Sequence, residues 1–241
     1  MNDSQIVQEI TKEIEVLLPS ISVDCVILGY NGTELQVLIN NWKDFTFQTI
    51  PGGFVRQSEN LETAAQRVLK SRTGQTYPFL IELGVFSETN RRDIDALLNE
   101  LDKLTFMTQQ IKDWFSQRFI SVAYLALVNS SDYSQQSDFL NRRCEWVTLN
   151  DLPMLGFDHN KMIHRAIQHL QNQIYYTPLC KHLLPEKFTM KTLRTLYEII
   201  LDQPLDRGNF QKRILRSNML IRLEKEMTGA ANKAPYLYRF A

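Results

Sequence analysis

Cysteine is scarce in this sequence: Cys25, Cys144 and Cys180 are the only three. They are odd in number, widely spaced and set in apolar or strand-like surroundings, which excludes a disulfide framework and a cysteine-based zinc site. Long apolar runs are missing too. VDCVILGY and SVAYLALV are strand-sized, far short of the roughly 20 residues a membrane span needs. The N-terminal stretch MNDSQIVQEITKEIEVLLPS lacks the basic start and unbroken apolar segment of a signal peptide. Ile6, Ile10, Ile14 and Leu17 stand there at helical spacing instead, which predicts an amphipathic helix over residues 1–18. The expected compartment is the reducing cytoplasm, with no membrane partner.

Net charge is also absent, but by cancellation. Residues 1–176 hold 15 Lys and Arg against 21 Asp and Glu, residues 177–241 hold 12 against 6, and together they make the chain's 27 of each sign. A basic tail on an acidic body places any contact with a polyanion in that tail. With 241 residues, 44% hydrophobic and 22% charged, the chain has room for one large domain, or one medium and one small, around a real core.

ISVDCVILGY and ELQVLIN are β-rich runs joined by NGT, an Asn-Gly turn that predicts a hairpin. A glycine loop then leads into ENLETAAQRVLKSR, a helix closed by Gly74. LIELGVFS, FISVAYLALV and RRCEWVTL continue the strands, RRDIDALLNELDKLTFMTQQIKDWFSQ is polar and mostly helix-like, and DHNKMIHRAIQHLQNQI is helical. Strands interleaved with helices predict an α/β layered domain over residues 19–176. Beyond it, Thr189 caps a helix with Leu193, Leu196, Tyr197 and Ile200 on one face, and Asp206 caps a second with Phe210 and Ile214 inward and Lys212, Arg213 and Arg216 outward. NMLIRLEK and APYLYRF add two strands. Helix, turn, basic helix and hairpin is the order of a winged helix-turn-helix, here over residues 177–241, whose second helix enters the major groove. A small helical dimerisation domain is the alternative; the crowding of Arg and Lys on one helix face favours DNA.

Thr49–Gly74, TIPGGFVRQSENLETAAQRVLKSRTG, resembles the Nudix box: Gly, five residues, Glu, seven residues, then Arg-Glu-apolar-x-Glu-Glu-x-Gly-apolar. Gly53, Glu59, Arg67, Leu69 and Gly74 fall on it in register. The other three glutamates belong at positions 68, 71 and 72, which share one helix face where carboxylates hold Mg²⁺ against a diphosphate. The chain has Val68, Ser71 and Arg72 there. A hard dication needs carboxylate oxygens, not an arginine. Hydrolysis, a metal and a cofactor are therefore not expected. Glu59 and Glu62 read as complements of the helix dipole rather than a substitute cage. Gly52 and Gly53 retain a use of their own, a tight turn and close backbone approach for a ligand pocket.

Further phrases, PGGFV, AAQRVL, SVAYLALV, LLPEKFTMKTLRTLYEIIL, LDRGNFQKRIL and APYLYRF, resemble the Nudix-related transcriptional regulators, a family that includes repressors of NAD biosynthesis and regulators of pentose use. The resemblance runs from about Ile21 to Phe240. It implies a Nudix-like α/β/α sandwich with a mixed sheet followed by a small α+β winged helix, in a homodimer that reads a double-stranded DNA operator and senses a small effector: a sugar, a sugar phosphate or an ADP-ribose-like nucleotide. Effector contacts are expected from Gly52, Gly53, Glu59, Arg67, Phe86, Arg91 and Arg92, where arginine suits phosphate through bidentate contacts. DNA contacts are expected from Arg207, Asn209, Gln211, Lys212, Arg213 and Arg216 on the recognition helix, Lys191 and Arg194 on the helix before it, and Lys233 near the wing tip. Arg213, in the middle of its helix, is the leading candidate for a base contact.

Two departures from the family stand out. An insertion at about residues 93–117 replaces a short loop, and is expected to cover the pocket or alter the dimer. NNWKDFTFQTIPGGF is compressed and lacks the usual arginine after its strand, so the resemblance does not carry effector identity with it. Two other readings compete with the regulator: a Nudix hydrolase acting on a nucleoside diphosphate derivative, and a nucleotide-sensing module that contacts protein.

Overall fold

The computed structural model describes residues 3–41, 45–74, 76, 79–130, 143–226 and 234–241, with Arg72 described by its backbone alone. Helix α1 (Asp3–Val16) has no fully buried residue and passes directly into the 14-residue strand β1 (Leu17–Tyr30). The hairpin to β2 (Leu35–Asn41) is closed by Asn31, whose side-chain oxygen accepts from the amides of Thr33 and Glu34 at 2.9 and 2.8 Å. This is an Asx turn. Strand β3 (Gly52–Arg56) pairs with the first half of the same edge of β1 that β2 occupies further along. With β4 (Ile81–Phe86), β5 (Ile120–Asn129) and β6 (Arg143–Thr148), the sheet runs β4-β5-β1-β2-β6. β5 is parallel to β1 and the remaining pairs are antiparallel, so the sheet is mixed.

The period-2 geometry of β1 supplies two cores at once. Val23, Cys25 and Ile27 face helix α2 (Leu61–Thr73), which buries Ala64, Ala65, Val68 and Leu69 against them. Val26 and Leu28 face helix α5 (His159–Gln173), which buries Met162, Ile163, Ala166 and Leu170 on the other side. The result is an α/β/α sandwich. Asn60 opens α2 by accepting from the Thr63 amide at 2.8 Å, and Gly74 closes it with φ 71°, a left-handed conformation that suits glycine.

The polar stretch before β5 forms two short helices, α3 (Ile94–Leu101) and α4 (Gln109–Ser116), capped by Asp93 and Thr108. Trp114 of α4 meets the Phe54 ring of β3 edge-on at 4.3 Å, and Phe119 and Leu17 complete that cluster. The insertion therefore lies over the strand that carries the glycines. Glu13 of α1 is held there as well, by Arg56 at 2.8 Å.

After α5, a 3₁₀ turn (Leu179–His182) leads to β7 (Phe188–Thr189), α6 (Met190–Leu201), α7 (Arg207–Arg216), β8 (Leu220–Lys225) and β9 (Tyr236–Phe240), with sheet order β7-β9-β8. Thr189 and Asp206 cap α6 and α7, accepting from the Thr192 and Asn209 amides at 3.1 and 2.8 Å. The two-residue β7, and β3, where a glycine loop was expected, are elements that hydrophobic patterning does not announce. One apolar core spans both regions, running from Val26, Leu28 and Leu170 through Leu179, Cys180, Leu183 and Leu184 to Leu196, Tyr197, Phe210, Ile214 and Tyr238. No described helix is long and apolar enough to cross a membrane.

Candidate effector site and DNA-binding face

Gly52 and Gly53 lie on β3 opposite Asp24 and Val23 of β1. A Cβ on Gly52 would collide with the Asp24 carboxylate, and one on Gly53 would stand 2.7 Å from the Val68 Cγ2. Both glycines are thus required by close approach. Val68, 2% exposed, belongs to the α2-side core, so the position of the first missing glutamate is packed rather than open. The Ser71 hydroxyl donates to the Val68 carbonyl at 2.8 Å.

Glu59 and Arg67 are brought together, but they satisfy each other. Arg67 donates to both Glu59 oxygens at 3.0 and 2.5 Å and to the Phe54 carbonyl at 2.7 Å, while the Arg56 amide donates to Glu59 at 2.9 Å. The hydrogen bonds from Arg67 hold the Glu59 carboxyl below its usual range. This pair pins β3 to α2. Among the described residues, no three His, Cys, Asp or Glu side chains converge as a metal site requires.

Arg91 and Arg92, expected at the pocket rim, both bond within the protein, Arg91 buried and Arg92 half-buried. Arg91, 7% exposed, reaches Asp158 through Nε at 3.1 Å and Nη2 at 2.8 Å, and lies 3.6 Å from Asp24. Asp24 also accepts from the Ser121 hydroxyl at 2.5 Å. Asp24 and Asp158 are themselves buried, and two carboxylates out of water require a counter-charge. Arg91 is that counter-charge. His159 accepts from the Ile50 amide on Nδ1 at 3.2 Å and turns Nε2 toward Asp24 at 3.7 Å; burial pushes its pKa down, so it is neutral. Arg92 lies between the rings of Phe119 and Phe157 at 5.1 and 5.3 Å and donates to the Phe115 and Gln117 carbonyls at 2.8 and 3.0 Å. It ties down the insertion, and burial lowers its pKa to about 10. Phe86 lines a separate cavity of about 310 Å³ between β4 and α5, with Lys161, His164 and Arg165. Asp24, Asp158 and His159 were not anticipated. The lone Asp within VDCVILGY is the one signal that pointed to them, since a charge inside a buried strand demands a partner.

On α7, Phe210 and Ile214 are buried, and Arg207, Asn209, Lys212 and Arg216 are exposed on the remaining surface, with Gln211 half-buried at the flank. Arg213 is exposed as well, and its guanidinium is stacked 3.4 Å above the Tyr175 ring at the end of α5. Lys191 is exposed on α6; Arg194 lies 3.7 Å from Glu198, whose carboxylate accepts from the Leu205 amide at 2.9 Å. Lys233 falls outside the described residues. Arg222 and Lys225 of β8 sit 4.7 and 5.5 Å from the Tyr236 ring, a cationic pair on the wing that sequence reasoning missed. Three residues apart, they would alternate to opposite faces of a regular strand. The register shift between them puts both beside Tyr236.

Comparison with known proteins bears on both halves. Residues 18–166 match the NUDIX domain, and residues 181–240 match the NrtR DNA-binding winged helix domain. The ADPR responsive transcriptional repressor NtrR of Acinetobacter baylyi is 31% identical over 231 residues, covering 92% of this chain and 82% of that protein. The ADP-ribose pyrophosphatase of Methanocaldococcus jannaschii is 27% identical over 150 residues, covering 61% of this chain and 72% of that enzyme. The crystal structure of Shewanella oneidensis NrtR with a 27mer DNA is similar with a TM-score of 0.70 at 22% identity, over 92% of this chain and 93% of that one, a likeness of fold. The chain therefore belongs to the Nudix-related transcriptional regulators, DNA-binding proteins in which a Nudix-like domain that senses a small effector is coupled to an NrtR-type winged helix.

Proposed function

We propose that this protein is a non-enzymatic regulator that binds a DNA operator as a homodimer in the cytoplasm and releases or engages it in response to ADP-ribose or a related nucleotide sugar. The observation that carries this reading is one combination: a Nudix-type box whose first metal position is the buried Val68, on a chain whose α7 presents Lys212 and Arg216 opposite its buried Phe210 and Ile214. The effector class follows from the ADPR response named for the Acinetobacter relative. The leading helix, expected over residues 1–18, spans Asp3–Val16 with Leu17 opening β1; residues 19–176 make up the effector domain with the insertion at about 93–117, and 177–241 the DNA-binding domain. In the pocket, the backbone of Gly52 and Gly53 remains available to a ligand, and the Glu59–Arg67 pair supports the strand that carries them. On DNA, Lys212, Arg216, Asn209 and Arg207 meet the major groove, while Lys191 meets phosphate and Arg222 and Lys225 follow the backbone beside the wing.

The test is a titration of the full chain onto its own upstream region, with and without ADP-ribose, beside an assay for Mg²⁺-dependent phosphate release. A dimer reads half-sites about one helical turn, or a multiple, apart, so the bound sequence is expected to be roughly palindromic. Lys212→Ala and Arg216→Ala are each expected to weaken operator binding by about 1–3 kcal/mol. Turnover of ADP-ribose that disappears in Glu59→Gln, or wild-type affinity in the double variant, defeats the reading.

A further inference from the structure

Arg213 lies in a basic run and is exposed, and yet its guanidinium stacks on another part of the protein. On α7 it follows Lys212 and precedes the buried Ile214, and one residue is about 100° of helix rotation. That places it on the flank of the helix, while Lys212 stands opposite the buried side. The flank faces the end of α5: Tyr175 lies two residues past Gln173, and the Arg213 guanidinium is 3.4 Å from its ring centroid. Tyr175 in turn meets Tyr197 of α6 edge-on at 5.3 Å, and Tyr197 meets Phe210 of α7 at 5.1 Å. Two hydrogen bonds fix the same junction: Tyr197 donates its hydroxyl to the Ile174 carbonyl at 2.7 Å, and Gln171 donates to the Ile200 carbonyl at 2.9 Å. The other end of α5 carries Asp158 and His159 into the cluster behind Gly52. One helix thus touches both the glycine strand's support and the recognition helix.

We propose that Tyr175 is a positioning residue for DNA recognition. Through Arg213 it fixes the rotation of α7 about its own axis, and so the direction in which Lys212 and Arg216 point; Arg213 itself reads the tyrosine and not a base. The inference rests on the DNA-binding reading of α7. A cation over an aromatic face is attracted by the ring quadrupole, which a tyrosine or phenylalanine ring supplies and leucine does not.

A double-mutant cycle in the full chain tests it, with Tyr175→Leu, Tyr175→Phe, Arg213→Met and the Tyr175→Leu, Arg213→Met pair. Operator affinity is measured by fluorescence anisotropy against the parent site and against sites altered at each base pair. Tyr175→Leu and Arg213→Met are each expected to weaken binding on the order of tenfold, the pair no further than either alone, and Tyr175→Phe not at all. Base preferences keep their rank in every variant. If Arg213→Met relaxes preference at one base pair while Tyr175→Leu binds like the parent, Arg213 is a base reader and the inference is wrong; a tenfold loss in Tyr175→Phe overturns it equally. Amide exchange in residues 207–216 of the free protein makes the outcome independent of DNA. Faster exchange in Tyr175→Leu and in Arg213→Met, but not in Tyr175→Phe, supports the coupling, and unchanged exchange in both overturns it. A parent that binds no operator defeats the DNA-binding reading, and the exchange result still decides whether Tyr175 holds α7.

Discussion

Replacing Arg91 with alanine removes the cation bonded to Asp158 and leaves Asp24 and Asp158, 7% and 6% exposed, as buried carboxylates 3.6 and 2.8 Å from a vanished partner. Breaking a buried ion pair from one side costs about 3–5 kcal/mol, because the remaining charge stays out of water. In a chain of this size each kcal/mol moves the melting temperature by roughly 2–4 °C, so Arg91→Ala is expected to melt about 6–20 °C below the parent. Thermal unfolding at neutral pH, followed by circular dichroism, reads this directly. Arg91→Lys keeps the charge but not the forked donors, and is expected to fall between the two. A melting temperature within about 2 °C of the parent at neutral pH would refute the assignment of Arg91 as an internal counter-charge. If ligand binding were lost at the same time, Arg91 would return to the pocket.

Two further outcomes follow from the same strand. Gly52→Ala drives a methyl group into the Asp24 carboxylate and is expected to destabilise by about 1–3 kcal/mol; denaturant midpoints equal to those of the parent would show that β3 yields freely. His159 is neutral in the fold with its pKa held below 6.5 by burial, so the unfolded chain binds the proton first. The stability this contributes is present above that unfolded value and is lost as pH falls below it. His159→Asn, which keeps an acceptor near the Ile50 amide, should flatten the stability profile as pH falls below 6.5. An unchanged slope would assign the acid sensitivity elsewhere.

Local chemistry was legible wherever one residue type settles one backbone problem. Gly74, Thr189 and Asp206 mark helix ends because side-chain oxygens satisfy free amides and glycine accepts a left-handed φ, and each does so in the structure, whereas Asn60, expected inside its helix, is the N-cap. The β-rich run VDCVILGY announced a strand. Partners distant in sequence were not legible. Arg91 and Asp158 are 67 residues apart, and nothing in RRDIDALL distinguishes an arginine that faces a pocket from one that neutralises two carboxylates. The contact that Arg213 makes was not legible for a related reason. A helical wheel gives its angle but not its neighbour, and the neighbour, Tyr175, arrives from the end of a different helix. Arg222 and Lys225 depended on a bulge, and a one-residue shift in register reverses the face of every side chain beyond it.

The retained parts of the box are explained without a metal. Gly52 is held by Asp24, Gly53 by Val68, Gly74 by the end of α2, and Glu59 with Arg67 fastens β3 to α2. Each of these constraints acts on the backbone, and none involves positions 68, 71 or 72 as metal ligands. Carboxylates at those three positions serve only a dication, so their loss leaves strand, loop and helix intact, while Val68 adds apolar packing on α2. A pocket of this kind can bind without turning over. The core continues from the sandwich through Leu183 and Leu184 to Phe210, on the helix that carries Lys212 and Arg216.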